Sequence, residues 1–319
     1  MKKFSILMLL FCSNFSIGQS WHQPADSLNE NRAILIGATQ SITYVGSLSG
    51  LQLLWYSDYD DQPFQFFNDW EGWLQMDKIG HTVSTYQVGL NLYKLNRWAG
   101  LSERNSIWLS AGVSYSFITL VEVMDGYSAG WGFSAWDAAF NTLGTGAFLA
   151  QQLTWKEQRI KLKYSFYPSG LDQNNTTGIT VEEANRAENL FGTGLHEQWL
   201  KDYNGQTYWI SANVWSLIGK PDRFPKWLNL AVGYSANNML GAESNAWELY
   251  PNVVENSEIY TSTLQRERQL LLSIDVDLDH VNLPIYLKWM RPLFGVIKFP
   301  FPALEWNSER GLVGHGIYF

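Results

Sequence analysis

Ile160-Lys161-Leu162-Lys163-Tyr164-Ser165-Phe166 alternates apolar and polar side chains without a break, directly after a stretch that does not. Period two means an extended strand with one apolar and one polar face. Downstream the pattern recurs: Leu228, Leu230, Val232 and Tyr234 alternate with Asn229, Ala231, Gly233 and Ser235, and Leu270, Leu272, Ile274, Val276 and Leu278 alternate with Ser273, Asp275, Asp277 and Asp279. Tyr208 to Leu217 adds a further run, and Gly311 to Phe319 closes the chain on an aromatic residue. Upstream of Trp155 the texture is different. Ala33 to Tyr56 carries no charge, and the weakly charged segments Ile79 to Tyr93, Asn105 to Val121 and Ala138 to Trp155 each have helix length, separated by short polar or Gly-rich connections.

These patterns predict an α+β chain: an N-terminal four-helix bundle, open to membrane embedding, followed by a C-terminal antiparallel β-sheet or partial barrel. Strands of about ten residues with a terminal Phe resemble outer-membrane barrels. Five or six runs fall short of a closed barrel, however, and polar stretches such as Asp172 to Gly205 interrupt them. Trp289, Pro292, Pro300 and Pro302 mark an irregular excursion before the last strand. Ala33 to Tyr56 is long enough to cross a bilayer, and its Gly46 and Gly50 form a pair that suits either close helix approach in lipid or ordinary tight packing.

Lys2 and Lys3 precede an apolar run from Phe4 to Phe11, and Ser16-Ile17-Gly18 supplies small residues ahead of a cleavage point. The organisation is therefore residues 1–18 as a signal peptide, 19–155 as a helical domain and 156–319 as an antiparallel β domain. Cys12, the only cysteine, follows the bulky Phe11 where a lipobox needs a small residue. Cleavage after Gly18 leaves no thiol, which excludes disulfides, thiolate catalysis and Cys-based metal sites. The net charge of −8 becomes −10 once Lys2 and Lys3 are lost, which disfavours nucleic acid. With 16% charged and 15% aromatic residues, the chain calls for an apolar neighbour. The aromatic loop at Phe64, Phe66, Phe67, Trp70 and Trp73 suits either a membrane interface or a cap on the helices, while Asp58, Asp60 and Asp61 lack calcium-loop spacing and read as solvated charge.

Polar residues that can carry chemistry concentrate in the helical half. Asp77 and His81 stand one helical turn apart with Lys78 between them, Glu122 and Asp125 end the next apolar segment, and Ser134 precedes Asp137 as an N-cap, with Asn141 and Gly144 following. Carboxylates in apolar helices are costly unless paired, so these groups are expected to converge, with Lys78 pairing Asp125 or Asp137. His196, His280 and His315 have no partner at a recognisable spacing and are expected to have surface or packing roles.

The strings Asp77-Lys78-Ile79-Gly80-His81, Glu122-Val123-Met124-Asp125-Gly126 and Gly132-Phe133-Ser134-Ala135-Trp136-Asp137, with Asn141 and Gly144, resemble the YfiM-type predicted periplasmic lipoproteins of unknown function. They are more distantly similar to VanZ-like membrane proteins. Lys201 to Trp209, Pro225 to Asn229 and the closing Ile317-Tyr318-Phe319 resemble longer Bacteroidota members of the first family. The signal sequence, the uncharged helices and the terminal Phe319 predict an exported protein at the outer membrane or its periplasmic face, with outer-membrane lipid or envelope proteins as partners. Two functions stand open. One is a non-catalytic structural or assembly component, in which Lys78, Ser134, Asn141 and Gly144 belong to a structural polar cluster. The other is a metal-assisted hydrolase or acid–base enzyme acting on an envelope lipid or glycan through Asp77, His81, Glu122, Asp125 and Asp137. A divalent metal, held by Asp77, His81, Glu122 and Asp125, fits the second; no nucleotide or redox cofactor is expected.

Overall fold

The computed structural model describes residues 23–53, 60–171, 178–249, 258–284, 287 and 291–319. The N-terminal run expected to be a signal peptide, with Cys12, and also Asp58 of the acidic loop and Trp289 lie outside the described residues. Four long helices form before residue 155: α1 (Glu30–Leu51), α2 (Met76–Trp98), α3 (Glu103–Gly126) and α4 (Ala135–Thr154). Side-chain caps set three of the starts, since Asn29, Ser102 and Ser134 each accept a first-turn backbone N–H.

Three of these helices pack on one another, with Tyr86, Leu90, Ala111 and Phe148 between them. Gly144 permits this contact, because a Cβ there would lie 2.2 Å from the Thr82 carbonyl oxygen of α2. Gly144→Ala is therefore expected to lower unfolding stability by roughly 2–3 kcal/mol through overpacking. Gly146→Ala is the control, having nothing within 4 Å of its added methyl; denaturant midpoints of the two variants measure the difference.

The expected four-helix bundle is met only in part. The N-terminal end of α1 is pinned where Arg32 donates to the Gln23 and Trp98 carbonyls and stacks over the Trp98 ring. Beyond that turn Ile34, Ile42 and Val45 are exposed, and Gly46 and Gly50 face open space rather than a helix.

The sheet has six antiparallel strands in the order β10-β9-β8-β5-β4-β3: β3 (Ile160–Phe166), β4 (Gln206–Asn213), β5 (Leu228–Asn237), β8 (Glu267–Val276), β9 (Phe301–Asn307) and β10 (Gly311–Tyr318). Two minor pairs complete the numbering, β1 (Phe66–Phe67) with β2 (Phe133–Ser134) and β6 (Ala246–Glu248) with β7 (Ile259–Thr261). The run read as a strand to Leu217 ends at Asn213, whose side chain caps a helical turn over Val214–Leu217. The polar stretch expected to interrupt the strands, Asp172 to Gly205, holds α5 (Val181–Phe191) and α6 (Leu195–Lys201), α5 being opened by a capping box between Thr180 and Glu183.

No barrel closes, but the sheet curls. At one end Tyr167, just past β3, stacks on Phe319, just past β10, at 5.7 Å. Residues from the two halves share one core, in which Met76 and Val83 of α2 pack with Tyr208, Ala236 and Met239.

Candidate functional site: a buried lysine ringed by acids

The site is built where α2, α3 and α4 meet beside the sheet. The turn entering α2 is strained, for Trp73, Leu74 and Gln75 all take positive φ values of 49°, 50° and 65°. The second half holds that turn in place. Trp73 N–H donates to the Ala242 carbonyl, and both Tyr234 and Arg268 donate to the Leu74 carbonyl. The turn thereby directs Asp69, before it, and Asp77, after it, toward one point.

That point is the Lys78 amine, which is fully buried. Its Nζ lies 2.5 Å from Asp69 Oδ2, 3.0 Å from Asp77 Oδ2 and 3.0 Å from Asp137 Oδ1. Of the two partners expected for Lys78, the amine holds Asp137. Ser134 does double duty at the start of α4, accepting from Asp137 N–H at 3.1 Å and donating to Asp69 Oδ1 at 2.6 Å. From the second half, Tyr203 donates to Asp77 Oδ1 at 2.8 Å.

His81 continues the cluster along α2. Its Nε2 stands 3.3 Å from Glu122 Oε1 and 3.6 Å from Asp77 Oδ1, and its Nδ1 is 3.1 Å from Asn141 Oδ1. Asn141, itself buried, also meets Thr85 Oγ1 at 3.1 Å. Asp125 sits half-buried one turn beyond Glu122, where its charge adds to the field on that carboxyl. Thus Asp77, His81, Glu122, Asp137 and Asn141 converge as the sequence implied, with Asp125 at the margin.

The electrostatics follow from crowding acids around one lysine. Burial, reinforced by Asp137, Asp125 and Asp77, pushes the Glu122 carboxyl up to about 10. Burial and Asp77 push Asp137 up to about 8, against the pull of Lys78. Burial would raise Asp77 too, but His81 and Lys78 outweigh it and hold that carboxyl below its usual range. Burial opposes the charged form of Lys78, yet Asp77, Asp137 and Asp69 together raise its pKa. At neutral pH Glu122 beside the imidazole is therefore protonated and Asp137 mostly so, while Asp77 stays ionised against Lys78.

Asp69 and Tyr203 were missed by sequence reasoning. So were the partners of two histidines: His280 Nδ1 lies 3.1 Å from Asp277 Oδ2, and His315 Nε2 lies 2.6 Å from Glu305 Oε2, both buried acids of the sheet half. His196 is exposed, as expected.

Residues 65–152 match the family described as Predicted periplasmic lipoprotein (DUF2279). The match covers just over a quarter of the chain and takes in every member of the cluster except Tyr203. It supports an exported, periplasmic protein of the cell envelope whose function is unknown, and lends nothing to the VanZ-like similarity or to a Bacteroidota long form. No curated protein and no solved structure matches the chain.

Proposed function

We propose that this protein is a non-catalytic structural or assembly component of the envelope, associated with the outer membrane, in which the Lys78 cluster locks the helices to one another and to the second half. Its partners on this reading are outer-membrane lipid or other envelope proteins. The observation that carries it is the Lys78 amine, buried and already ringed by the carboxylates of three separate segments. Breaking such a pairing is far costlier than a surface ion pair, because the remaining charges have no water to turn to. Tyr203 ties the same cluster to the second half.

One observation favours a second reading. Asp77, His81 and Asp137 each offer a ligand atom, and these lie within 4.8 Å of one another. A divalent cation there would serve a metal-assisted hydrolase or acid–base enzyme acting on an envelope lipid or glycan, with Glu122 beside the imidazole as a proton donor. The lysine argues against it: Nζ lies 3.0 Å from carboxylate oxygens of both Asp77 and Asp137, so an added cation would sit beside a buried ammonium.

Thermal melting with and without millimolar Mn²⁺ separates the two. The lock predicts the same melting temperature in both, and a lower one for His81→Ala whether or not the ion is present. A native-state metal site would raise the midpoint by mass action, by about 2.7 kcal/mol of stability at a hundredfold excess over Kd. A rise of that kind, abolished by Asp77→Asn, would replace the lock with the metal reading.

A further inference from the structure

The sheet carries its apolar side chains on the outside. Strand register aligns Ile210, Val232, Leu272 and Leu304 as direct cross-strand neighbours, and a second row runs Leu270, Trp306 and Leu312. All seven are exposed. The alternate positions, which face the concave side, are buried and mostly polar, around a small apolar cluster of Trp209, Ala231, Leu271 and Ala303. There Lys163 pairs with Asp275, Ser211 donates to Asp275, Asn213 donates to Asn229, Gln269 donates to Glu305, and Lys298 donates to Ser273. A half-solvated antiparallel sheet in water shows the opposite arrangement, with its apolar side packed and its polar side wet.

We infer that the outer face of β4, β5, β8, β9 and β10 lies against membrane lipid, with the concave face serving as the protein's own polar interior. This deepens the outer-membrane reading above and rests on it. Three observations bear on the occupant, the first showing that the face is a packing surface and the other two favouring lipid over a protein partner. First, α2 already covers the β3 and β4 end of this same outer face, where Leu162, Tyr164 and Tyr208 pack against Met76 and Val83. The uncovered remainder is therefore a packing surface of the same kind as one the fold uses. Second, apolar exposure does not stop at the sheet but continues on Trp108 and Leu109 of α3 and on Leu143 and Leu153 of α4. A partner of finite footprint covers one patch, whereas lipid covers every side. Third, hydrocarbon does not tolerate open backbone edges, and of the sheet's two edges that of β3 is occupied: Tyr164 N–H donates to the Val296 carbonyl, and Lys298 N–H to the Tyr164 carbonyl. The Tyr167–Phe319 stack then draws the far strand's end around to the same place.

The only cysteine of the chain is Cys12, so a Cys12→Ser background gives unique labelling sites. Leu230→Cys, Leu272→Cys and Leu304→Cys are exposed outer-face positions where substitution removes little packing, and Lys220→Cys is an exposed loop position. Each variant carries a nitroxide and is reconstituted into vesicles of phosphatidylethanolamine and phosphatidylglycerol, whose flotation reads membrane association separately. The expected result is that oxygen relaxes the three outer-face labels several-fold more effectively than a water-soluble nickel chelate, with the order reversed at position 220. Floating vesicles with outer-face labels open to the nickel reagent would overturn the lipid contact while leaving outer-membrane association standing. Labels shielded from both reagents would mean that protein covers the face, which also overturns it. Failure to float would sink the association reading itself.

Discussion

Replacing Lys78 with methionine is expected to cost at least about 3–5 kcal/mol of folding stability, because removing one partner of a buried pair leaves the other charges uncompensated. Here three carboxyl groups would lose their shared cation, those of Asp69, Asp77 and Asp137, with Asp137 adding its charge as pH approaches 8. For a chain whose total stability is on the order of 5–15 kcal/mol, a loss of that size brings unfolding within reach at neutral pH. The pH dependence has a definite sign. Glu122 and Asp137 have folded-state pKa values raised to about 10 and about 8, above their ordinary 4.5 and 3.8. The native state therefore holds protons that the unfolded chain releases, and stability falls as pH rises from about 5 toward 8. Asp77, held low, contributes stability that is already complete at the bottom of that window. Lys78→Met should steepen the decline, and Lys78→Met combined with Asp137→Asn should recover part of the loss by removing one of the stranded charges. Denaturant unfolding in detergent at pH 5 and pH 8 measures both variants against the parent. A Lys78→Met protein as stable as its parent at pH 8 would mean the cluster locks nothing.

The helical half and its cluster were legible in the sequence because acids stood out against uncharged surroundings. The Ser134 cap, the turn spacing of Asp77 and His81, and the paired acids of α3 all pointed to one place, and packing gathered them there. Asp69 and Tyr203 were not legible for a physical reason. Each lies in a connection outside the long helices, where no periodicity fixes direction; Asp69 is aimed by the turn with three left-handed residues in succession, and Tyr203 comes from a short turn of the second half. The strands posed a different problem. Period two shows that a strand has two unlike faces but not which of them is turned inward, and an inverted sheet in lipid reads the same as an ordinary one in water. One signal did exist. Lys161 and Lys163 recur at the same spacing as Asp275 and Asp277, and the structure pairs them, Lys161 with Asp277 and Lys163 with Asp275. Opposite charges in matching period on two strands imply that their polar faces look at each other, and so that the polar side is the inside.

That inward face yields the second large effect. Asp275→Leu is expected to destabilise the sheet by about 3–5 kcal/mol, the cost of leaving a buried ion without its partner. The Lys163–Asp275 pair is more completely enclosed than the Lys78 cluster, with side-chain exposures of 1% and 0% and a separation of 2.6 Å. Asp275 also accepts from Ser211 Oγ at 2.7 Å and from Phe299 N–H at 3.3 Å, so its loss removes an acceptor from three donors at once, leaving Lys163 only the Val276 carbonyl. The double variant Lys163→Leu with Asp275→Leu separates charge from packing. If the pair stabilises chiefly by its two charges cancelling, removing both should recover much of the loss, since a buried ion pair is often replaceable by apolar residues of similar size. Ser211 would keep a partner in Asn229, which donates to its Oγ at 2.8 Å. If the double variant is no better than Asp275→Leu alone, then the hydrogen-bond network through Ser211 and Phe299, rather than charge pairing, holds β4 to β8 across the concave side. Unfolding midpoints of Asp275→Leu, Lys163→Leu and the double variant decide between these, and a single Asp275→Leu variant with parental stability would mean that the polar face is not the enclosed interior of the sheet.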